Sequence, residues 1–310
     1  MKKAMIQCNG VQTQVIAEGR WIEETAPEGS KDIVLVIPGN PGVPEFYEGF
    51  LKAIRSRISE DIPIWIVGHA GHVQPPGELL LAMPRDSEGK HYYDMTGQLQ
   101  HKTEFIKKYI PANAKVHLIG HSIGAWFSIN LLKDSIVRDK IAKCYLLFPT
   151  IEHMAKSPNG RFLTSIARRI FNCLLYLAWL FSFLPISLQY YCVRLYGIFF
   201  GIPAKSINAV LTLINPNVLT RVFRLAKEEM TRVKDMDHDL ISQNANKIWM
   251  YYGTTDGWTP VSYYENMKKD HPNVEAELCK KGISHSFVLK HEEEMGHIVA
   301  DVINRNITTA

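Results

Sequence analysis

Val116-His117-Leu118-Ile119-Gly120-His121-Ser122-Ile123-Gly124 decides how this chain is read. A short apolar run that starts on a β-branched residue reads as a buried strand. It runs into Gly120-x-Ser122-x-Gly124, and Ala125 to Lys133 beyond it reads as a helix. Strand, sharp turn and helix are the setting in which a serine is carried on a strained elbow. Side chains at positions 120 and 124 would collide with the neighbouring strand and helix, which accounts for both glycines. A Gly-x-Ser-x-Gly arises by chance in about one chain in ten of this length. The rest of the sequence must therefore supply partners for Ser122.

Working outward, the elbow sits among alternating strand and helix signals. Upstream, Ala4 to Cys8 and Val11 to Ala17 flank Asn9-Gly10, a strong hairpin signal. Ile33 to Ile37 is a continuous apolar run, as expected of a strand covered on both faces. It ends in Pro38-Gly39-Asn40-Pro41-Gly42, and Pro44 to Ile58 reads as a helix with Phe46, Phe50, Leu51, Ile54 and Ile58 on one side. Ile64 to Val67 is the next strand, a long Gly/Pro/His loop runs to about Lys90, and Tyr92 to Tyr109 is a helix stopped by Pro111. Lys143 to Phe148 follows the elbow as another strand.

The alternation then breaks. From Ile151 to about Asn244 there is helical, strongly apolar sequence with no clear strand, and Lys247 to Tyr252, Val274 to Cys279 and a helix from Phe287 to about Ile303 resume the pattern. The expected class is α/β, a mostly parallel sheet with helices on both faces. One core domain would comprise residues 1–150 and 245–310, with a helical cap inserted at 151–244.

The bulk numbers narrow the function. A chain of 310 residues with 46% hydrophobic composition can bury one large core plus an insertion. The net charge of +4 gives no field that argues for nucleic acid as a partner. The first ten residues lack the apolar run of a secretory signal. The five cysteines (Cys8, Cys144, Cys173, Cys192 and Cys279) are odd in number and contain no Cys-x-x-Cys pair, which points to reduced thiols in a cytosol-facing protein.

A serine hydroxyl becomes a nucleophile when a histidine takes its proton and a carboxylate holds that histidine in the right tautomer. The chain order for this elbow is Ser, then acid, then His. Asp256 lies just past the strand at 247–252, and His285 lies between the last strand and the last helix. Both are at strand C-terminal ends, where open α/β sheets carry their sites. The competing readings are a turn role for Asp256, which precedes Gly257, and His291 or His297 as the base, although both fall within the expected final helix. Oxyanion donors are expected from the amide of Ile123, directly after the nucleophile, and from Asn40, with Gly42 as the fallback because Pro41 has no N–H. His69 and His72 resemble a metal pair, but with no third ligand nearby a structural or pocket-rim role is favoured and no metal is expected. No cofactor is implied, because the chemistry uses protein groups and water.

Phe171 to Leu184 carries no charge, Pro185 interrupts it, and Ile186 to Pro203 is a second apolar arm whose charge is Arg194. Arg161, Arg168 and Arg169 precede the pair and Lys205 follows it. Each arm is shorter than the ~20 residues needed to span a bilayer. Two short arms around a proline, rich in Trp and Tyr and flanked by cations, suit a hairpin at 171–203 that dips into one leaflet or a lipid monolayer. Leu175, Trp179, Phe183 and Phe199 are the expected lipid contacts. The alternative is a cap whose apolar helices line an acyl pocket, and both can hold together.

Pro38-Gly39-Asn40-Pro41-Gly42, Gly68-His69-Ala70-Gly71-His72, Leu118 to Gly124, Phe148-Pro149-Thr150-Ile151-Glu152 and Ser157-Pro158-Asn159-Gly160-Arg161 together resemble the lipid droplet-associated hydrolases. Tyr251 to Asp256 and His285-Ser286-Phe287 extend the resemblance over nearly the whole chain. It implies an α/β-hydrolase fold and a Ser122–Asp256–His285 triad. It also implies residence on lipid droplets and the endoplasmic reticulum, and a role in the turnover of steryl esters or other neutral lipids.

Overall fold

In the computed structural model, which describes residues 1–24, 31–80, 83–86 and 91–307, the chain lays down eight strands. These are β1 (Lys2–Cys8), β2 (Val11–Glu18), β3 (Asp32–Ile37), β4 (Ile64–Val67), β5 (Lys115–His121), β6 (Ile141–Leu147), β7 (Ile248–Tyr252) and β8 (Glu275–Leu278). They form one sheet in the order β1-β2-β4-β3-β5-β6-β7-β8. β1 pairs antiparallel with β2 through the Asn9-Gly10 turn, and β2 pairs antiparallel with β4. From β4 to β8 every neighbour is parallel. The fold is that of the α/β-hydrolases, as expected.

Period-2 geometry shows why the central strands are apolar throughout. Ile33, Leu35 and Ile37 of β3 enter the core on one face, while Val34 and Val36 enter the core on the other. β7 does the same, with Ile248, Met250 and Tyr252 on one side and Trp249 and Tyr251 on the opposite side. Each such side chain contributes about 1.5–3 kcal/mol on burial. A polar residue on either face of these strands would have to find a partner or destabilise the sheet.

Helix α1 (Glu48–Arg55) and α2 (Met95–Tyr109) precede β5, and α3 (Ile123–Leu131) and α4 (Ser135–Lys140) lie between β5 and β6. The expected helix from Pro44 begins as a 3-10 turn at Pro44–Tyr47 and closes at Arg55 rather than at Ile58. The helix expected from Tyr92 begins at Met95, because the Asp94 side chain accepts a hydrogen bond from the Gly97 N–H and caps it there. Residues 81–82 and 87–90 of the preceding loop lie outside the described residues.

Between β6 and β7 the described residues form helices and no strand: α5 (Pro158–Phe162), α6 (Arg168–Phe181), α7 (Ile186–Phe200), α8 (Ile207–Ile214), α9 (Pro216–Arg232) and α10 (His238–Gln243). The two apolar arms are α6 and α7, with Pro185 at the N-cap of α7. The Arg168 side chain lies outside the described residues. Among the described residues no helix is long and apolar enough to cross a membrane. After α11 (Val261–Asp270) and β8, the expected final helix proves to be two, α12 (Phe287–Lys290) and α13 (Glu292–Ile307). His291 leaves helical geometry at φ −125°. Its N–H closes α12 on the Phe287 carbonyl, and its carbonyl opens α13 by accepting from Met295.

Candidate active site

Ser122 sits at the turn from β5 into α3 with φ 54° and ψ −121°, a conformation strained for any residue with a side chain. The glycines on either side make the turn possible. A Cβ at position 124 would lie 2.3 Å from the Ile37 carbonyl oxygen, and one at position 120 would lie 2.5 Å from Ser128 Oγ. The Ser122 N–H is anchored on the Leu147 carbonyl of β6 at 2.9 Å. The hydroxyl therefore stands on a backbone held by two strands.

The structure brings the three side chains expected from the sequence into one hydrogen-bonded row. Ser122 Oγ lies 2.9 Å from His285 Nε2, and His285 Nδ1 lies 2.7 Å from Asp256 Oδ2. Because the carboxylate accepts, Nδ1 carries the proton, and Nε2 is left to accept from the serine. Asp256 lies in the loop after β7 and His285 in the loop between β8 and α12. Asp256 is buried, with Oδ2 also accepting from Thr259 Oγ1 at 2.7 Å and Oδ1 from the Trp258 N–H at 2.7 Å. Burial pushes its carboxyl up, while the hydrogen bonds from His285, Thr259 and Trp258 and the adjacent imidazole outweigh that and hold it below the ordinary aspartate value.

Beside Ser122, the loop at 38–42 ends β3 and carries a cis Asn40–Pro41 peptide. Its amides are divided among fixed tasks. The Gly39 N–H donates to Tyr47 Oη at 2.8 Å, and the Gly42 N–H donates to His72 Nδ1 at 3.0 Å. Pro41 has no N–H, which leaves Asn40 and removes Gly42 from contention as an oxyanion donor. The Ile123 N–H opens α3, where helix N–H groups have no intrahelical acceptor. His69 and His72 are buried beneath this loop, with His69 so close to Gly42 that a Cβ there would meet its ring at 2.3 Å. Burial depresses both imidazoles, His72 to about 3. The pair is the floor of the 38–42 loop, and it does not line the cavity described next.

Ser122 and His285 open onto a cavity of about 480 Å³. Its apolar walls come largely from the segment between β6 and β7, including Leu163, Phe171, Leu213, Val222 and Phe223. Three polar residues around it were not singled out from the sequence. His121 and Tyr47 form a bridge at the back of the site, with Tyr47 Oη 2.6 Å from His121 Nδ1 and His121 Nε2 3.0 Å from the His285 carbonyl oxygen. Burial and the nearby His285 lower His121 to about 3, so it is neutral. The third is Glu229 of α9, buried and facing the cavity. A signal for it existed: Val218, Val222, Leu225 and Glu229 follow helical spacing, so the acid falls on the buried stripe.

The outer surfaces of α6 and α7 are apolar and uncovered. Phe199 is 77% exposed, Phe183 68% and Trp179 48%, with Ile186, Ile198 and Phe200 exposed among them. Leu175 departs from expectation and is half-buried. It shares with Phe171 and Ala178 the face of α6 that turns inward, where Phe171 stacks on Phe223 of α9 at 4.0 Å.

Residues 30–288 match the family model described as lipid-droplet associated hydrolase. The chain is 42% identical over 307 residues to the lipid droplet-associated hydrolase of Drosophila melanogaster, covering 99% of both chains. It is 36% identical to the protein of that name in Mus musculus, covering 98% of this chain and 95% of the other. For the Homo sapiens protein the identity is 33%, with the same coverages of 98% and 95%. Among solved structures, the epoxide hydrolase VrEH1 from Vigna radiata superposes with a TM-score of 0.66 at 13% identity, covering 98% of each chain. A putative aryl esterase from Burkholderia cenocepacia gives 0.62 at 15% identity, covering 99% of this chain and 100% of the other. At such identities these structures speak for the fold alone.

Proposed function

The chain belongs to the lipid droplet-associated hydrolase family, and from that premise we propose that it is a serine hydrolase of apolar esters acting at the lipid droplet surface. The observation that carries this reading is the Ser122–His285–Asp256 row facing an apolar cavity. His285 Nε2 takes the proton as Ser122 Oγ attacks the ester carbonyl, and Asp256 stabilises the imidazolium that forms. The amides of Ile123 and Asn40 hold the developing oxyanion. His285 then returns the proton to the departing alcohol, and water hydrolyses the acyl-enzyme by the same steps in reverse.

The cavity walls favour a long acyl chain or a sterol over a charged substrate, and a steryl ester is the substrate class we assign. Docking uses the hairpin: Trp179, Phe183 and Phe199 enter a lipid monolayer while Leu175 stays with the protein. The protein works from the cytosolic face of droplets and the endoplasmic reticulum, in keeping with five free cysteines. A fluorophosphonate probe tests the nucleophile. It should label the wild type and not Ser122→Ala, whereas equal labelling of both would remove Ser122 from the account.

A further inference from the structure

The side chain of Asn40 points toward the helical segment between β6 and β7. Its Nδ2 donates to Glu229 Oε1 at 2.9 Å and to the Val222 carbonyl at 3.1 Å, both on α9 and two helical turns apart. These bonds tie a loop at the end of β3 to a helix nearly two hundred residues later in the chain.

A carboxyl at this place is costly. Glu229 is only 4% exposed, and it sits on the helix stripe otherwise made by Val218, Val222 and Leu225. A leucine would satisfy that stripe without burying a polar group. Burial pushes the Glu229 carboxyl up to about 8, and the Asn40 hydrogen bond only partly reverses this. At neutral pH it is therefore an uncharged acid, so its carbonyl oxygen can accept from Asn40 without setting a negative charge beside the oxyanion.

The benefit lies at Asn40. Holding Nδ2 at two points restricts the Asn40 side chain and, through Cβ, the backbone that carries its N–H. The neighbouring residue is pinned as well, since the Gly39 N–H is held by Tyr47. An oxyanion donor misplaced by about 1 Å loses much of its value. We propose that Glu229 is a positioning residue that, through Asn40, aims the oxyanion-loop amide at the reacting carbonyl. This rests on the reading of Ser122 as nucleophile and of the Asn40 amide as an oxyanion donor.

The test uses the full chain and two readouts: the rate constant for labelling by a fluorophosphonate, whose phosphoryl oxygen takes the oxyanion position, and kcat and KM on a short water-soluble ester. Glu229→Leu should lower labelling and kcat about tenfold, a fraction of the ~10²–10³ carried by a whole oxyanion donor, with KM little changed. Glu229→Gln, which keeps an acceptor oxygen, should restore both to within about threefold of wild type. Asn40→Ala, which also removes the bond to the Val222 carbonyl, should fall at least as far as Glu229→Leu. The double variant should fall no further than Asn40→Ala, because the Glu229 bond is among those that Asn40→Ala breaks. Wild-type rates in Glu229→Leu, or losses that multiply in the double variant, would overturn the proposal. Should Glu229→Leu fail to fold, an undiminished rate in Asn40→Ala overturns it equally. Absence of Ser122-dependent labelling in the wild type would instead remove the nucleophile reading, and this inference with it.

Discussion

His121 donates a hydrogen bond from Nε2 to the backbone carbonyl of His285, 3.0 Å away. A carbonyl can only accept, so the Nε2 tautomer is forced and Nδ1 must accept in turn. Tyr47 supplies that donor, and its oxygen accepts from the Gly39 N–H. One directed chain of bonds thus runs from the oxyanion loop, through the residue beside Ser122, to the loop that carries His285.

Removing one hydroxyl should loosen both loops. Tyr47→Phe leaves the Gly39 N–H and His121 Nδ1 buried without partners, at a cost of about 1–3 kcal/mol each before relaxation. We expect a lower unfolding midpoint and a loss of about tenfold or more in Ser122-dependent ester cleavage. Thermal unfolding and steady-state kinetics check both, and unchanged kinetics would show that the bridge does not position the site.

Glu229 leaves a signature in stability against pH. Its folded value of about 8 lies above the ~4.3 of an unfolded chain. Whatever the neutral acid contributes to stability is fully present below about pH 4 and is lost as pH rises toward 8, because the unfolded chain releases the proton first. Glu229→Gln does not titrate. Its unfolding temperature should match wild type near pH 4 and exceed it by several degrees near pH 8. A constant gap between the two proteins across that range would contradict the buried, neutral state.

The outer and inward surfaces of the hairpin at 171–203 should respond differently to charge. Phe183→Asp with Phe199→Asp removes two exposed rings, each contributing about 1.5–3 kcal/mol where it is buried in lipid. Binding to phospholipid-coated oil droplets should weaken at least tenfold, while hydrolysis of a water-soluble ester persists. Leu175→Asp should instead lower folding stability, since that residue is on the inward face. Flotation and thermal unfolding separate the outcomes, and unaltered flotation of the double variant would remove the hairpin from docking.

The sheet was legible because its information is local. Strands covered on both faces must be apolar at every position, and Asn9-Gly10 and the Gly120–Gly124 elbow are turns whose residues dictate their geometry. The loops that carry Asp256 and His285 follow from strand ends in chain order. Tyr47 and Glu229 escaped for the opposite reason. Their roles are set by partners 74 and 189 residues away, which no spacing reveals. Leu175 escaped because a helix apolar on nearly every side has no polar stripe to mark which face turns inward. The break at His291, where φ is −125°, lies within a sequence whose helical signal continues on both sides, and neither a Pro nor a Gly stands at the break to mark it.

The most direct test compares the wild type with Ser122→Ala on emulsified cholesteryl ester, triacylglycerol and a short water-soluble ester. The account predicts serine-dependent acid release from the steryl ester. Cleavage of the short ester alone would keep the nucleophile and contradict the substrate. No serine-dependent release from any of the three would contradict the hydrolase reading and turn attention to a protein that acts on droplets by binding them.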